Sequence, residues 1–334
     1  MLGGFRLLLA IVVVLYHVGY HPFALQIGIS AVVAFYMVSG YAMSALWRRW
    51  YADGQVAAFY LDRVLRLYPQ YIAFCGVSAF LIFGLGIKVG SFQAGEPSWI
   101  TAMAHVTIVP LSFGAVFAAI SGFMLIPQAW SLGTEMMFYV IFPFVQSRAA
   151  MTSALLVSLI IFVAASTGGI NPTTFAFYLP PGCLFIFLIC ALIERVDRVL
   201  LTGTMAVYAG FAGILLATDK MSIGYNREIF IGIAVAIGSI SILRKWKPGA
   251  IDTVLGDLSY GVYLAHMIAI VIVNYLGWFA DYLFAIAGTV AACSVIFAGA
   301  ALSLIERPVA HYRKSLRTQR RQCAPLGVTA LNPH

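Results

Sequence analysis

Charged side chains are scarce in this sequence: Asp, Glu, Lys and Arg make up 10% of its 334 residues, where a soluble domain carries about a quarter. That scarcity excludes a globular protein with an ordinary water-facing surface. Runs of strictly alternating apolar and polar residues are missing too, which excludes an outer-membrane type of β-barrel. Cysteine is sparse. Cys75, Cys183, Cys190 and Cys293 sit inside apolar runs and Cys323 lies near the C-terminus, with no metal-type spacing, so neither zinc nor a disulfide framework is expected. No internal repeat and no low-complexity tract is evident.

What is present is apolar. The chain is 62% hydrophobic with a mean hydropathy of +0.95, and runs long enough to cross a hydrocarbon core of ~30 Å recur about ten times. The expected fold is an all-α, polytopic membrane helix bundle. Its spans are read as 5–22, 27–47, 69–88, 130–147, 150–167, 174–193, 199–217, 228–243, 256–275 and 281–304. The first run has a single charge and no small-residue cleavage pattern, so it reads as a retained span rather than a secretory signal.

The net charge of +8 would suit nucleic acid, but the basic residues cluster at span ends, which membrane topology explains without it. The stretch "RRWYADGQVAAFYLDRVLRLYP" holds Arg48, Arg49, Arg63 and Arg66, and the positive-inside rule assigns it, with both termini, to the cytoplasm. Of 20 Lys and Arg, all but Lys88, Lys220 and Arg227 then fall on that side, leaving 17. A single crossing between Trp99 and Gln128 would reverse every later loop. This segment, broken by Pro110, Gly114 and Gly122, is too short for two full spans, so a re-entrant or interfacial form at about 99–128 is expected. The division is an integral membrane domain at 1–307 and a basic cytoplasmic tail at 308–334, suited to anionic lipid.

Ionisable groups inside a bilayer are costly unless they pair or line a cavity, which makes each a candidate site. His17, Glu135 and His266 all fall in the middle to outer half of the expected membrane depth. In "FRLLLAIVVVLYHVGY", His17 follows Arg6 by eleven residues, which brings it within about 20° of the same helical face and roughly 16 Å further along. One polar stripe results. His17 is either a general base, its usual pKa being near neutral, or a packed histidine bonded to a neighbouring carbonyl. Glu135 either orients such a base or pairs with a buried arginine. His266 shares a face with Ser259 and Tyr263, where a hydrogen-bonded packing role competes with a catalytic one. Arg63 and Arg66, three apart, bind either lipid headgroups or a phosphate. Phosphate at one surface and a polar stripe toward a histidine suit a donor with a charged head and a long reactive arm. Coenzyme A thioesters are one such donor among several.

Five blocks then resemble, in order, the acyltransferase 3 family of bacterial membrane enzymes: "RLLLAIVVVLYH", "FYMVSGY" at 35–41, "DRVLRLYPQY" at 62–71, "WSLGTEMMFY" at 130–139, and "LSYGVYLAH" followed by "ERP" at 306–308. They span nearly the whole chain. The resemblance implies about ten spans, an acyl-CoA donor from the cytoplasm and a saccharide hydroxyl as acceptor. It also implies that Arg6 and His17 are essential, with Arg63 and Arg66 on the donor side and Glu135 in the catalytic region; the site expected is therefore His17 and Glu135 as catalytic, Arg6, Arg63 and Arg66 as donor-binding, and Ser131, Tyr263 and His266 in support. One departure stands out: where the family often has an acidic residue shortly before its Ser-Gly-Phe, Val33 precedes Ser39-Gly40-Tyr41. No fused extracytoplasmic hydrolase-like domain, of the kind some members of that family carry, is expected from these residues.

The expectation is thus a multi-pass O-acyltransferase, most simply an O-acetyltransferase, of the bacterial inner membrane. Its partners are acyl-CoA, membrane lipid and an exopolysaccharide, lipopolysaccharide or lipid-linked oligosaccharide, with no metal and no tightly bound cofactor. The oligomeric state, a homo-oligomer included, is left open. The rival reading is a secondary transporter or lipid-linked sugar flippase using the same ionisable residues, although paired broken helices and inverted repeats are not evident.

Overall fold

The computed structural model describes residues 2–52, 54–87, 95–278 and 282–323. Lys88, the stretch 91–94 at the start of the outer segment, and the end of the tail from 324 lie outside them. Among these residues thirteen α-helices follow one another: α1 Gly3–His17, α2 Ile27–Trp50, α3 Val56–Ala79, α4 Trp99–Thr107, α5 Ala118–Ser121, α6 Trp130–Ile141 and α7 Arg148–Ser166. The second half holds α8 Pro180–Arg195, α9 Arg198–Ala217, α10 Asn226–Leu243, α11 Ala250–Tyr275, α12 Leu283–Ala301 and α13 Arg307–Cys323. There is no strand among the described residues.

Eight helical segments, built on α2, α3 and α7 to α12, are long and apolar enough to cross a membrane. The other two expected spans are α1 and α6, which are shorter than the sequence pattern indicates. In α1 the helix stops at His17, because Gly19 takes a left-handed conformation (φ +99°) and closes a Schellman turn. Its two bonds run from the Gly19 N–H to the Tyr16 carbonyl and from the Tyr20 N–H to the Leu15 carbonyl. In α6 the α-helix gives way to a 3₁₀ turn, Phe142–Val145, at Pro143, where a backbone donor is lost. Among the described residues between α3 and α6, a π-turn, Phe80–Gly84, extends α3, and after it only the short helices α4 and α5 and 3₁₀ turns occur, none of crossing length.

Small residues set the packing. A Cβ on Gly40 would come 1.9 Å from the Phe187 carbonyl oxygen, and one on Gly3 would come 1.7 Å from that of Asp252. Backbones therefore touch between α2 and α8 and between α1 and α11. Because Gly3 meets Asp252 while His17 meets His266, α1 and α11 run parallel. Near the centre lies α8, buried from Gly182 through Ile193.

One end of the bundle gathers the charges. There Ser44 donates to Glu194 at 2.7 Å, Arg48 pairs with the same carboxylate at 3.2 Å, and Arg244 donates to the Ile193 carbonyl at 3.0 Å. Two expectations change at this basic end. The third span begins at Val56 rather than 69, since the helix runs through Pro69, so Arg63 and Arg66 lie in a spanning helix and not in a preceding surface segment. The boundary drawn at 307 falls inside a continuous helix: α12 passes through a π-turn, Leu302–Glu306, into α13. The first turns of the basic tail are docked, with Arg313 and Arg317 both on Asp62 of α3 at 3.1 and 2.6 Å.

Candidate active site

Two cavities open toward opposite ends of the bundle. The one at the basic end, about 420 Å³, is walled by Arg6, Ser39, Arg63, Arg66, Glu135 and Arg244. The far one, about 490 Å³, is walled by Tyr16, His17, Gln128, Trp130, Tyr178 and Tyr263. Between them is a narrow void of about 40 Å³ that shares Arg6, Ser39, Glu135 and Tyr260 with the first and Val32 and Tyr263 with the second. The stripe read from Arg6 to His17 thus runs from the wall of one cavity, past this void, which we call the passage, to the wall of the other.

His17 is the last helical residue of α1, exposed on the wall of the far cavity. Its Nδ1 lies 3.0 Å from the Val13 carbonyl oxygen. A carbonyl only accepts, so in the neutral ring Nδ1 carries the hydrogen and Nε2 keeps its lone pair. The carbonyl end of the helix also favours the cation that forms when Nε2 takes a proton. Against this ring packs His266, fully buried, with centroids 4.9 Å apart. His266 Nδ1 donates to the Tyr263 carbonyl at 2.6 Å, and its buried Nε2 has no partner among the described residues.

Gln128 was not singled out by the sequence reading. Its amide nitrogen donates to the Tyr263 and Leu264 carbonyls at 3.1 and 2.8 Å, which fixes the turn of α11 just before His266 and leaves its buried Oε1 unpartnered. Nothing in a lone glutamine after a proline signals this. Ser131 and Tyr263 are brought together, hydroxyl to hydroxyl at 2.6 Å, and each also reaches the Gln128 carbonyl. Two hydroxyl hydrogens fill two of these three contacts at a time, both within the trio.

Glu135 is not beside His17. It sits on the basic side of the passage, where Ser39 donates to it at 2.6 Å and the Tyr139 hydroxyl donates as well. Arg63 and Arg66 are both spoken for. Arg63 pairs with the adjacent Asp62, and Arg66 pairs with Glu306 and lies 3.7 Å from Asp257. This gives a physical sense to two of the sequence blocks: the glutamate of "ERP" neutralises the second arginine of "DRVLRLYP". Each guanidinium also lies over an aromatic ring at 5.8 Å, Arg63 on Tyr139 and Arg66 on Tyr260. Arg6 differs: its guanidinium makes no hydrogen bond or ion pair to a described residue, while the side chain lines both the cavity and the void beside it.

What such an arrangement can do is relay a group between two aqueous compartments and abstract a proton at the far one. Comparison with known proteins bears on which group. An uncharacterized protein of Aquifex aeolicus (strain VF5) is 27% identical over 161 residues, covering 45% of this chain and 73% of that protein. No solved structure matches. The profile of the acyltransferase 3 family, described as an acyltransferase domain, matches residues 2–305, so the chain belongs to that family of acyltransferases.

Proposed function

We propose that this membrane acyltransferase moves an acyl group, most simply acetyl, from a coenzyme A thioester to a hydroxyl of a saccharide. The basic end faces the cytoplasm, following the positive-inside rule, and admits the donor. The observation that supports this reading is the pair of cavities with a small void between them that shares wall residues with each, Arg6 lining the void and the cavity at the basic end and His17 lining the far one.

The chemistry follows from ordinary acyl transfer. With the thioester arm threaded past Arg6, the acceptor hydroxyl attacks the carbonyl carbon while His17 Nε2 takes its proton, which raises the nucleophilicity of a neutral alcohol. A C–O bond forms, the C–S bond breaks, and the imidazolium returns the proton to the departing thiolate. The rings of Trp130, Tyr16 and Tyr178 suit the acceptor side, since aromatic faces stack on the C–H faces of sugars. An exopolysaccharide, lipopolysaccharide or lipid-linked oligosaccharide is the acceptor class, in the bacterial inner membrane with both termini cytoplasmic.

The test is direct. Purified protein incubated with radiolabelled acetyl-CoA should show acyl transfer to a glycan acceptor, or slow thioester hydrolysis in its absence. A transporter or flippase would leave the thioester intact. Mass spectrometry of surface polysaccharides from cells with and without the gene identifies the acceptor.

A further inference from the structure

The donor cavity has a rim that the acyltransferase blocks do not include. After α10 the chain turns through "RKWKP", Arg244 to Pro248, and Arg244, Trp246 and Pro248 all line the cavity mouth. Every residue of this turn is exposed, Trp246 by 58%.

Charge decides where a polyanionic head would rest. The cavity arginines expected to bind lipid headgroups or a phosphate are compensated: Asp62 holds Arg63, and Glu306 with Asp257 holds Arg66. The turn is different. Arg244 spends one nitrogen on the Ile193 carbonyl, and neither it nor Lys245 nor Lys247 pairs with a carboxylate among the described residues. Three cations without an acid flank one large, flat, exposed ring. That combination matches a purine base carrying phosphates: aromatic rings stack on bases, and guanidinium and ammonium groups take phosphate oxygens.

We propose that Arg244–Pro248 is the nucleotide lip of the donor cavity, with the ring of Trp246 stacked on an adenine and Arg244, Lys245 and Lys247 on the phosphates of the same molecule. The inference rests on the coenzyme A reading above. It assigns the nucleotide end to this turn and leaves Arg63 and Arg66 as the brace of the cavity wall.

The experiment measures binding, not turnover. Full-length protein in lipid nanodiscs is titrated calorimetrically with coenzyme A, dephospho-coenzyme A and pantetheine. Trp246→Ala should weaken coenzyme A about tenfold and leave pantetheine binding where it was, with Trp246→Phe restoring most of the loss. The Lys245→Gln/Lys247→Gln double variant, whose side chains are exposed, carries the test independently: it should narrow the preference for coenzyme A over the dephospho form and flatten the salt dependence. Should both variants bind coenzyme A as the wild type does, the turn is only an interfacial anchor and the proposal is overturned while the donor reading stands. Wild-type protein that binds no coenzyme A overturns both.

Discussion

The imidazoles of His17 and His266 lie 4.9 Å apart, tilted by 43°, although they come from the first and eleventh helices. Both rings spend Nδ1 on a backbone carbonyl of their own helix, at Val13 and at Tyr263. Each is thereby set in the tautomer that leaves the lone pair on Nε2. Only His17 faces the cavity; His266 is its buried support.

The first prediction concerns this pair. His17→Ala should lower acyl transfer by ~10²–10⁴ while coenzyme A binding survives, as removing a general base does. Because the alanine would also open a void beside His266, His17→Phe serves as the control that keeps the packing. Loss in both variants assigns the effect to the lost base, whereas a folded His17→Phe protein acylating its glycan near the normal rate would sink the mechanism.

The second concerns the charge network at the basic end. Arg66 and Glu306 are 13% and 3% exposed, so removing one partner strands a buried charge. Arg66→Met should cost on the order of 3–5 kcal/mol, seen as a lower thermal midpoint in detergent, and adding Glu306→Gln should recover much of it. Asp62→Asn should release α13, since Arg313 and Arg317 lose their shared carboxylate. Limited trypsin digestion would then cut near those arginines, where wild-type protein resists.

Much of this was legible in the sequence, and the failures have physical causes. The membrane class and the Arg6–His17 stripe follow from composition and helical spacing, and the family blocks from resemblance; all three are local. Partners are not local. Nothing in "DRVLRLYP" says that Asp62 receives two arginines from the C-terminal helix, or that Arg66 meets Glu306, so both arginines read as open sites for lipid headgroups or a phosphate. Pro69 reads as a helix start, yet the helix passes through it. Depth arithmetic put Glu135 with the histidines, but depth fixes one coordinate of three, and the carboxylate faces the other cavity. The tail read as lipid-bound because the acids that hold it are distant in sequence.

A third prediction comes from His105 on α4, whose nine residues are too few to cross the membrane. Its Nε2 accepts from the Leu125 N–H at 3.1 Å and its Nδ1 lies 3.0 Å from the Tyr71 hydroxyl, tying the segment over the far cavity to α3. Burial pushes the imidazole down to about 4. The unfolded chain therefore binds a proton near pH 6.5 that the folded protein refuses until about pH 4. Stability should be level above that window and fall through it as the pH drops, by up to about 3 kcal/mol from this group. His105→Phe should forfeit the two hydrogen bonds, about 2 kcal/mol, and lose this part of the pH dependence. Thermal midpoints from pH 7.5 to 4.5 that run parallel for the two proteins would refute it.

The last prediction separates Arg6 from the other cavity arginines. Arg63 and Arg66 are anchored by carboxylates, so their loss should be felt first as instability. Arg6 has no ion-pair partner among the described residues and stands where the donor cavity narrows into the passage, beside Ser39 and Glu135. With no partner to strand, Arg6→Ala should leave the thermal midpoint within about 1 kcal/mol equivalent of wild type. Its effect should fall on donor use instead, because a fixed guanidinium in a narrow void has only the passing thioester arm to engage. Arg6→Lys divides the causes: an ammonium restores charge without the planar fork, so partial recovery marks an electrostatic role and little recovery marks paired hydrogen bonding. Steady-state kinetics with varied acetyl-CoA read the outcome. If Arg6→Ala destabilises the fold as much as Arg66→Met while the surviving enzyme keeps its donor kinetics, Arg6 is a structural residue and the passage has no charged station.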